Sequence, residues 1–167
     1  MTRCQGSFVI DRSSRIAVDD GSDRAIGERL ARWLGLPPTS VDVVTAHVEP
    51  PANGIVLRLA PSSATAAAHV RDPAIETPRT ADDEAYTLDV STTRAIVSAR
   101  QPAGLFYGAQ TLAQLAGTRR IAVEPAALDA RTRLSIPCIA IDDAPRFSFR
   151  AMHLDVARHF FSPAVVE

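Results

Sequence analysis

Four histidines, His47, His69, His153 and His159, two cysteines, Cys4 and Cys138, and an adjacent carboxylate pair, Asp142-Asp143, are residues whose types could hold a metal, attack an electrophile or move protons. Their spacing argues against each use. The histidines form no H-E-x-x-H or comparable ligand pattern and the cysteines no C-x-x-C, so neither a metal nor a cofactor is expected. The two thiols could make at most one bridge, which is not expected either. Asp142 and Asp143 are neighbours in an extended segment, where successive side chains point to opposite faces and cannot share a substrate. A structural turn with Asp143 pairing to Arg146 is the expectation there. Gly104-Leu105-Phe106-Tyr107-Gly108 does not satisfy G-x-G-x-x-G, and no G-x-S-x-G elbow occurs. Arg158 is, by residue type alone, either a surface or salt-bridged arginine or a ligand contact. Asp155, three residues before it, either orients it or is a strand-end carboxylate held by backbone donors.

All 18 basic residues are arginine. Without lysine the chain cannot complete a P-loop, a pyridoxal-phosphate Schiff base or a protein-kinase site. Nineteen acidic residues bring the net charge to −1, which gives no electrostatic footprint for nucleic acid or an anionic membrane. A content of 46% hydrophobic and 22% charged residues excludes a disordered chain. At 167 residues it fits one domain, burying roughly 70% of its unfolded surface. The first residues, Met1 to Gly6, carry no apolar signal region, and no stretch approaches the ~20 apolar residues of a membrane span. As written the chain is expected to be cytoplasmic, or secreted or periplasmic if its true N-terminus is missing.

The elements that must position any site follow from periodicity. Phe8-Val9-Ile10 and Ile16-Ala17-Val18 flank the turn residues Asp11 to Ser14, which predicts a hairpin. Ile26, Leu30, Trp33 and Leu34 recur at helical spacing, with Ser22 or Asp23 as N-cap, Gly35 past the C-terminus and Pro37-Pro38 barring continuation. That spacing makes Trp33 a core residue rather than a sugar-stacking one. Strands are predicted at Val41 to Val48 and, after the turn dipeptide Asn53-Gly54, at Ile55 to Leu59. Residues 61–83 read as a long surface loop. Tyr86, Leu88 and Val90 alternate with polar residues and lead through a turn into Arg94 to Arg100, a second hairpin with one buried face. A helix is predicted from Leu105, through Ala109 and Leu112, to Gly117; Gly108 inside it marks a close approach to the sheet. Ile136 to Ile141 and Phe149 to Val156 read as further strands, and Ser162-Pro163 as a helix start. Strands with two helices among them make an α+β sheet covered on one side.

Five ordered blocks carry a more specific signal: Glu84 to Val90, Gly104 to Leu115, Ile136-Pro137, Ile141 to Phe147, and Arg150 to Phe160. Together they resemble the β-N-acetylhexosaminidases of glycoside hydrolase family 20. The resemblance implies an auxiliary α+β domain over residues 1–145, a sheet with two helices packed on one face in a zincin-like outline. Residues 146–167 would then be the first strand and helix start of an incomplete (β/α)8 barrel. Nineteen residues from Phe149 to Glu167 are far short of the ~250 of such a barrel. The family's catalytic Asp-Glu pair would lie beyond Glu167, so the chain alone is expected to be inactive.

The implied reaction is hydrolysis of terminal N-acetyl-β-D-glucosamine or galactosamine, with the substrate's acetamido oxygen as nucleophile and configuration retained. The implied partners are an N-acetylhexosamine-terminated glycan and the missing barrel, with no nucleic acid, membrane, cofactor or metal. Arg158 matches the family arginine that binds the 3- and 4-hydroxyls of the terminal sugar, and Asp155 is its candidate orienting neighbour. A planar five-donor fork suits vicinal hydroxyls, and barrel strand ends are where such sites lie. Phe149 and Ala151 depart from the tryptophan and glycine of the family block. The alternative is a stand-alone, non-catalytic module binding a protein or carbohydrate. Against it stands the apolar run Phe147, Phe149, Met152, Leu154, Val156, Phe160, Phe161, Val165 and Val166, which has too little chain after it to be buried. The last ~15 residues are expected to be disordered or packed on another molecule.

Overall fold

The computed structural model describes residues 2–19, 21–44, 53–59, 83–117, 128, 131–147, 149–155, 160 and 162. Among them are seven strands, β1 (Thr2–Ile10), β2 (Arg15–Val18), β3 (Val41–Val43), β4 (Gly54–Leu59), β5 (Tyr86–Val90), β6 (Arg94–Ala99) and β7 (Leu134–Asp143), and two α-helices, α1 (Arg24–Leu34) and α2 (Pro102–Leu115). The strands form one mixed sheet in the order β1-β7-β5-β6-β4-β2-β3. Both helices join the strands in a single buried core, the α+β layering that the apolar pattern predicts.

The centre of the sheet follows directly from alternation. In the β5–β6 hairpin Tyr86 pairs with Ala99, Leu88 with Val97 and Val90 with Ala95, and all six are buried. The intervening Thr87 and Asp89 are exposed on the face without helices. On one side β6 runs parallel to β4; on the other, β5 pairs antiparallel with residues 139–143 of β7. The ten-residue β7 serves a second partner, since its earlier residues pair with β1 from Ile10 opposite Leu134 to Thr2 opposite Ala140, across a bulge.

The first predicted hairpin is not formed. Its turn exists: the Ser14 amide donates to the Asp11 carbonyl at 3.0 Å, and the Ser13 amide to the Asp11 carboxylate at 2.9 Å. The strands it joins go to different partners, β1 to β7 and β2 to a parallel position between β4 and β3. Ile16, Ala17 and Val18 are all buried, the signature of an interior strand with both faces covered rather than one arm of a half-exposed hairpin. The expected strand over 41–48 is present as β3; its residues 45–48, and the loop expected over 61–83 except Asp83, lie outside the described residues.

Helix α1 ends as its sequence requires, with Gly35 at φ 71° and its amide on the Arg32 carbonyl; Asp23 sits at the N-cap without a side-chain capping bond. Trp33 is 6% exposed and belongs to the core. Helix α2 begins three residues earlier than expected, because Pro102 occupies its first turn, where a missing N–H costs nothing. Two of its glycines are contacts. A Cβ on Gly104 would stand 2.2 Å from the Ala85 carbonyl oxygen, and one on Gly108 2.4 Å from Val97 Cγ1. Gly108 is thus the close approach that the sequence marks.

Candidate functional site

The residues leading into β5, one side of α2 and the C-terminal end of β7 meet in a cleft of about 280 Å³ lined by Glu84, Tyr86, Tyr107, Thr111, Asp143 and Arg150, among others. Its floor is set by Tyr86. The ring lies under Gly108, which leaves it room, and the hydroxyl donates to Asp143 Oδ2 at 3.0 Å while standing 2.7 Å from Thr111 Oγ1. Thr111 then serves as the donor to Tyr86. Burial pushes the Tyr86 phenol above its ordinary pKa; the Thr111 hydrogen bond opposes this and Asp143 adds to it. Tyr86 is therefore a protonated tie between the end of β7 and α2.

Arg150 closes the other side. Its guanidinium donates through Nη2 to Glu84 Oε2 and through Nη1 to the Phe147 carbonyl at 2.6 Å, and Cζ lies 5.7 Å from the centre of the Tyr107 ring. The fork thus holds a carboxylate, its own preceding turn and an aromatic face together. The ion pair is one-sided: the Glu84 side chain is 9% exposed and that of Arg150 43%. Glu84 raises the Arg150 pKa further above its already high ordinary value, so the charge is permanent. The cluster contains no nucleophile beside a general base; it grips a chain segment.

Of the sequence-predicted residues, Asp155 is exposed in the segment after β7, and Arg158 lies outside the described residues. Asp142 and Asp143 do face opposite ways. Asp143 enters the cleft, whereas Asp142 lines a shallow polar depression on the other face, of about 360 Å³, with Arg58, Thr87, Asp89 and Ser98. Both belong to β7, not to a turn, and Asp143 takes Tyr86 rather than Arg146, whose guanidinium lies 5.5 Å from the Phe147 ring. Of the histidines, His153 is exposed and the other three lie outside the described residues. Residues 149–155 pair with no strand of the sheet, and Phe147, Phe149, Met152 and Leu154 are exposed.

Sequence reasoning did not bring Glu84, Tyr107, Thr111 and Arg150 together. All four stand in three of the five resembling blocks, which was the available signal, but a pairing across 66 residues has no trace in periodicity.

Comparison with known proteins follows the same geometry. A family model described as glycosyl hydrolase family 20, domain 2 matches residues 1–144. A β-hexosaminidase of Vibrio furnissii is 37% identical over 158 residues, 95% of this chain and 20% of the relative. A β-N-acetylhexosaminidase of Cellulomonas fimi is 39% identical over 82 residues, 49% of this chain and 14% of the relative. The solved family 20 β-N-acetylhexosaminidase of Streptomyces coelicolor A3(2) superposes with a TM-score of 0.62 at 33% identity, over 96% of this chain and 28% of that one. The Streptomyces plicatus N-acetyl-β-hexosaminidase in complex with Thio-NAglucal gives 0.61 at 32% identity, over 95% and 27%.

A mixed sheet carrying two helices, matched in sequence and structure by these enzymes, defines the class as a glycoside-hydrolase domain. The chain belongs to glycosyl hydrolase family 20 and carries its domain 2. The matches span between 8% and 28% of the length of the relatives.

Proposed function

We propose that this chain is the N-terminal portion of a β-N-acetylhexosaminidase. Residues 1–145 are the auxiliary domain, with the zincin-like outline of a sheet bearing two helices, and residues 146–167 enter the first strand and helix of a (β/α)8 barrel. The protein hydrolyses terminal N-acetyl-β-D-glucosamine or galactosamine, the substrate's acetamido oxygen attacking the anomeric carbon with retention. Arg158 binds hydroxyls of the terminal sugar, Asp155 orients it, and the carboxylates that complete catalysis come from chain beyond Glu167; residues 1–167 alone are inactive.

The observation that carries this reading is the continuity of the match. The Vibrio furnissii enzyme aligns over 158 residues and the Streptomyces coelicolor structure over 96% of the chain, so the similarity runs past the sheet into the exposed segment. That segment offers apolar side chains, Phe149 at 69% and Met152 at 78% exposure, as a barrel strand awaiting its neighbours would. The test is hydrolysis of an aryl N-acetyl-β-glucosaminide by the full-length protein and its Arg158→Ala variant. Wild-type turnover with a kcat/KM loss of about 100-fold or more in the variant supports the reading, since each lost charged hydrogen bond to a sugar is worth on the order of 1.5–3 kcal/mol. An inactive full-length protein refutes it.

A further inference from the structure

We propose that Glu84 and Arg150 form a register pin: a residue of the auxiliary sheet fixes where along its ladder the barrel's first strand begins, and so sets sugar affinity without touching sugar. The inference rests on the hexosaminidase reading and adds two positioning residues to it.

The chain leaving the sheet is held at two points. At the first, Asp143, the last residue of β7, accepts the Tyr86 hydroxyl at 3.0 Å. At the second, Arg150 is tied to Glu84, to the Phe147 carbonyl and to the Tyr107 ring. Glu84 is a buried carboxylate in the residues leading into β5, and its neighbour Ala85 is pressed by α2 at Gly104, where even a Cβ would meet the Ala85 carbonyl at 2.2 Å. One end of the pin is therefore rigid. The other holds a segment whose following residues, 151–155, are all exposed.

Register is what such a pin controls. Parallel barrel strands are held sideways by their ladders, but a slip of one residue along a ladder turns every side chain to the opposite face. Arg158 follows Arg150 by only eight residues in the sequence. Fixing Arg150 then anchors the chain a short distance before Arg158, the residue that meets the sugar in the hexosaminidase reading. A salt bridge without this role would be a solvent-side pair of little consequence, whereas here the carboxylate is shielded and the arginine makes three kinds of contact.

The test uses the full-length protein and an aryl N-acetyl-β-glucosaminide, with Glu84→Gln, Arg150→Met and the double variant. The pin predicts that KM rises about tenfold in each single variant with kcat within about twofold, and that the double variant is no worse than either single one, because both remove the same contact. A purely structural role lowers the melting temperature and the active fraction, hence kcat, and leaves KM unchanged; that outcome overturns the proposal while leaving the hexosaminidase reading intact. If Glu84→Gln does not fold, Arg150→Lys carries the same test: it keeps the charge but loses the fork, and an unchanged KM overturns the pin. Absence of turnover in the wild type overturns the underlying reading instead.

Discussion

Leu88 and Leu154 are the same residue in two regions of one chain, 1% exposed in β5 and 44% exposed in the segment after β7. Around Leu88 every strand has its partners and α2 lies on the sheet. Around Leu154 the segment has apolar side chains and no ladder. Hydrophobic residues do not by themselves make a core; pairing partners convert apolar pattern into buried structure, and the segment after β7 has the pattern alone.

The contrast can be broken most severely from the core side. Leu112 of α2 is wholly buried, and Leu112→Ala in the 167-residue chain is expected to cost about 2–5 kcal/mol in urea unfolding. Gly104→Ala follows at about 1–3 kcal/mol, because the new methyl meets backbone, the Ala85 carbonyl, which cannot swing away as a side chain could. A Gly104→Ala protein as stable as wild type would show that α2 can lift from β5.

Tyr86→Phe sharpens the boundary between the regions. Losing the hydroxyl leaves Asp143 and Thr111 to solvent at the cleft, for about 1 kcal/mol. The same residue predicts a pH dependence. The folded phenol has its pKa raised above the unfolded value, so the stability tied to its neutral form is fully present below about pH 10 and is lost as pH rises through the folded pKa. Alkaline unfolding should therefore begin at higher pH in Tyr86→Phe relative to its own neutral-pH stability, and equal alkaline limbs would contradict that linkage. The smallest effect on stability belongs to the exposed segment: Phe149→Ser with Met152→Gln should change unfolding by no more than about 0.5 kcal/mol while reducing self-association in sedimentation.

These differences also explain what the sequence made legible. Strong period-two alternation gave β5 and β6, and a helical stripe with a glycine stop gave α1; even Gly108 was readable as a close approach. The pairing of β1 was not readable. A turn beside two apolar runs sets where the chain bends, not which strand each run meets, and only the unbroken burial of Ile16 to Val18 betrays an interior strand. The cleft failed for the same reason. Glu84 and Arg150 are individually ordinary, and what distinguishes them is a contact across 66 residues that neither helix nor strand periodicity encodes. Arg158, the residue the family resemblance singles out, lies outside the described residues, while the chain that leads toward it is held by residues that stand in the resembling blocks without a role assigned to them there.

The pairing of Thr2 with Ala140 has a consequence for synthesis. Closing that ladder costs about 3 kcal/mol more chain entropy than closing the β5–β6 turn, so it forms late. A ribosome adding ~5–20 residues per second would leave Phe8 and Ile10 without their partner strand on the order of ten seconds, long after the β5–β6 hairpin could have folded. The nascent chain would thus carry an adhesive strand until β7 emerges, and a chaperone that holds extended apolar segments would find a client site at residues 8–10.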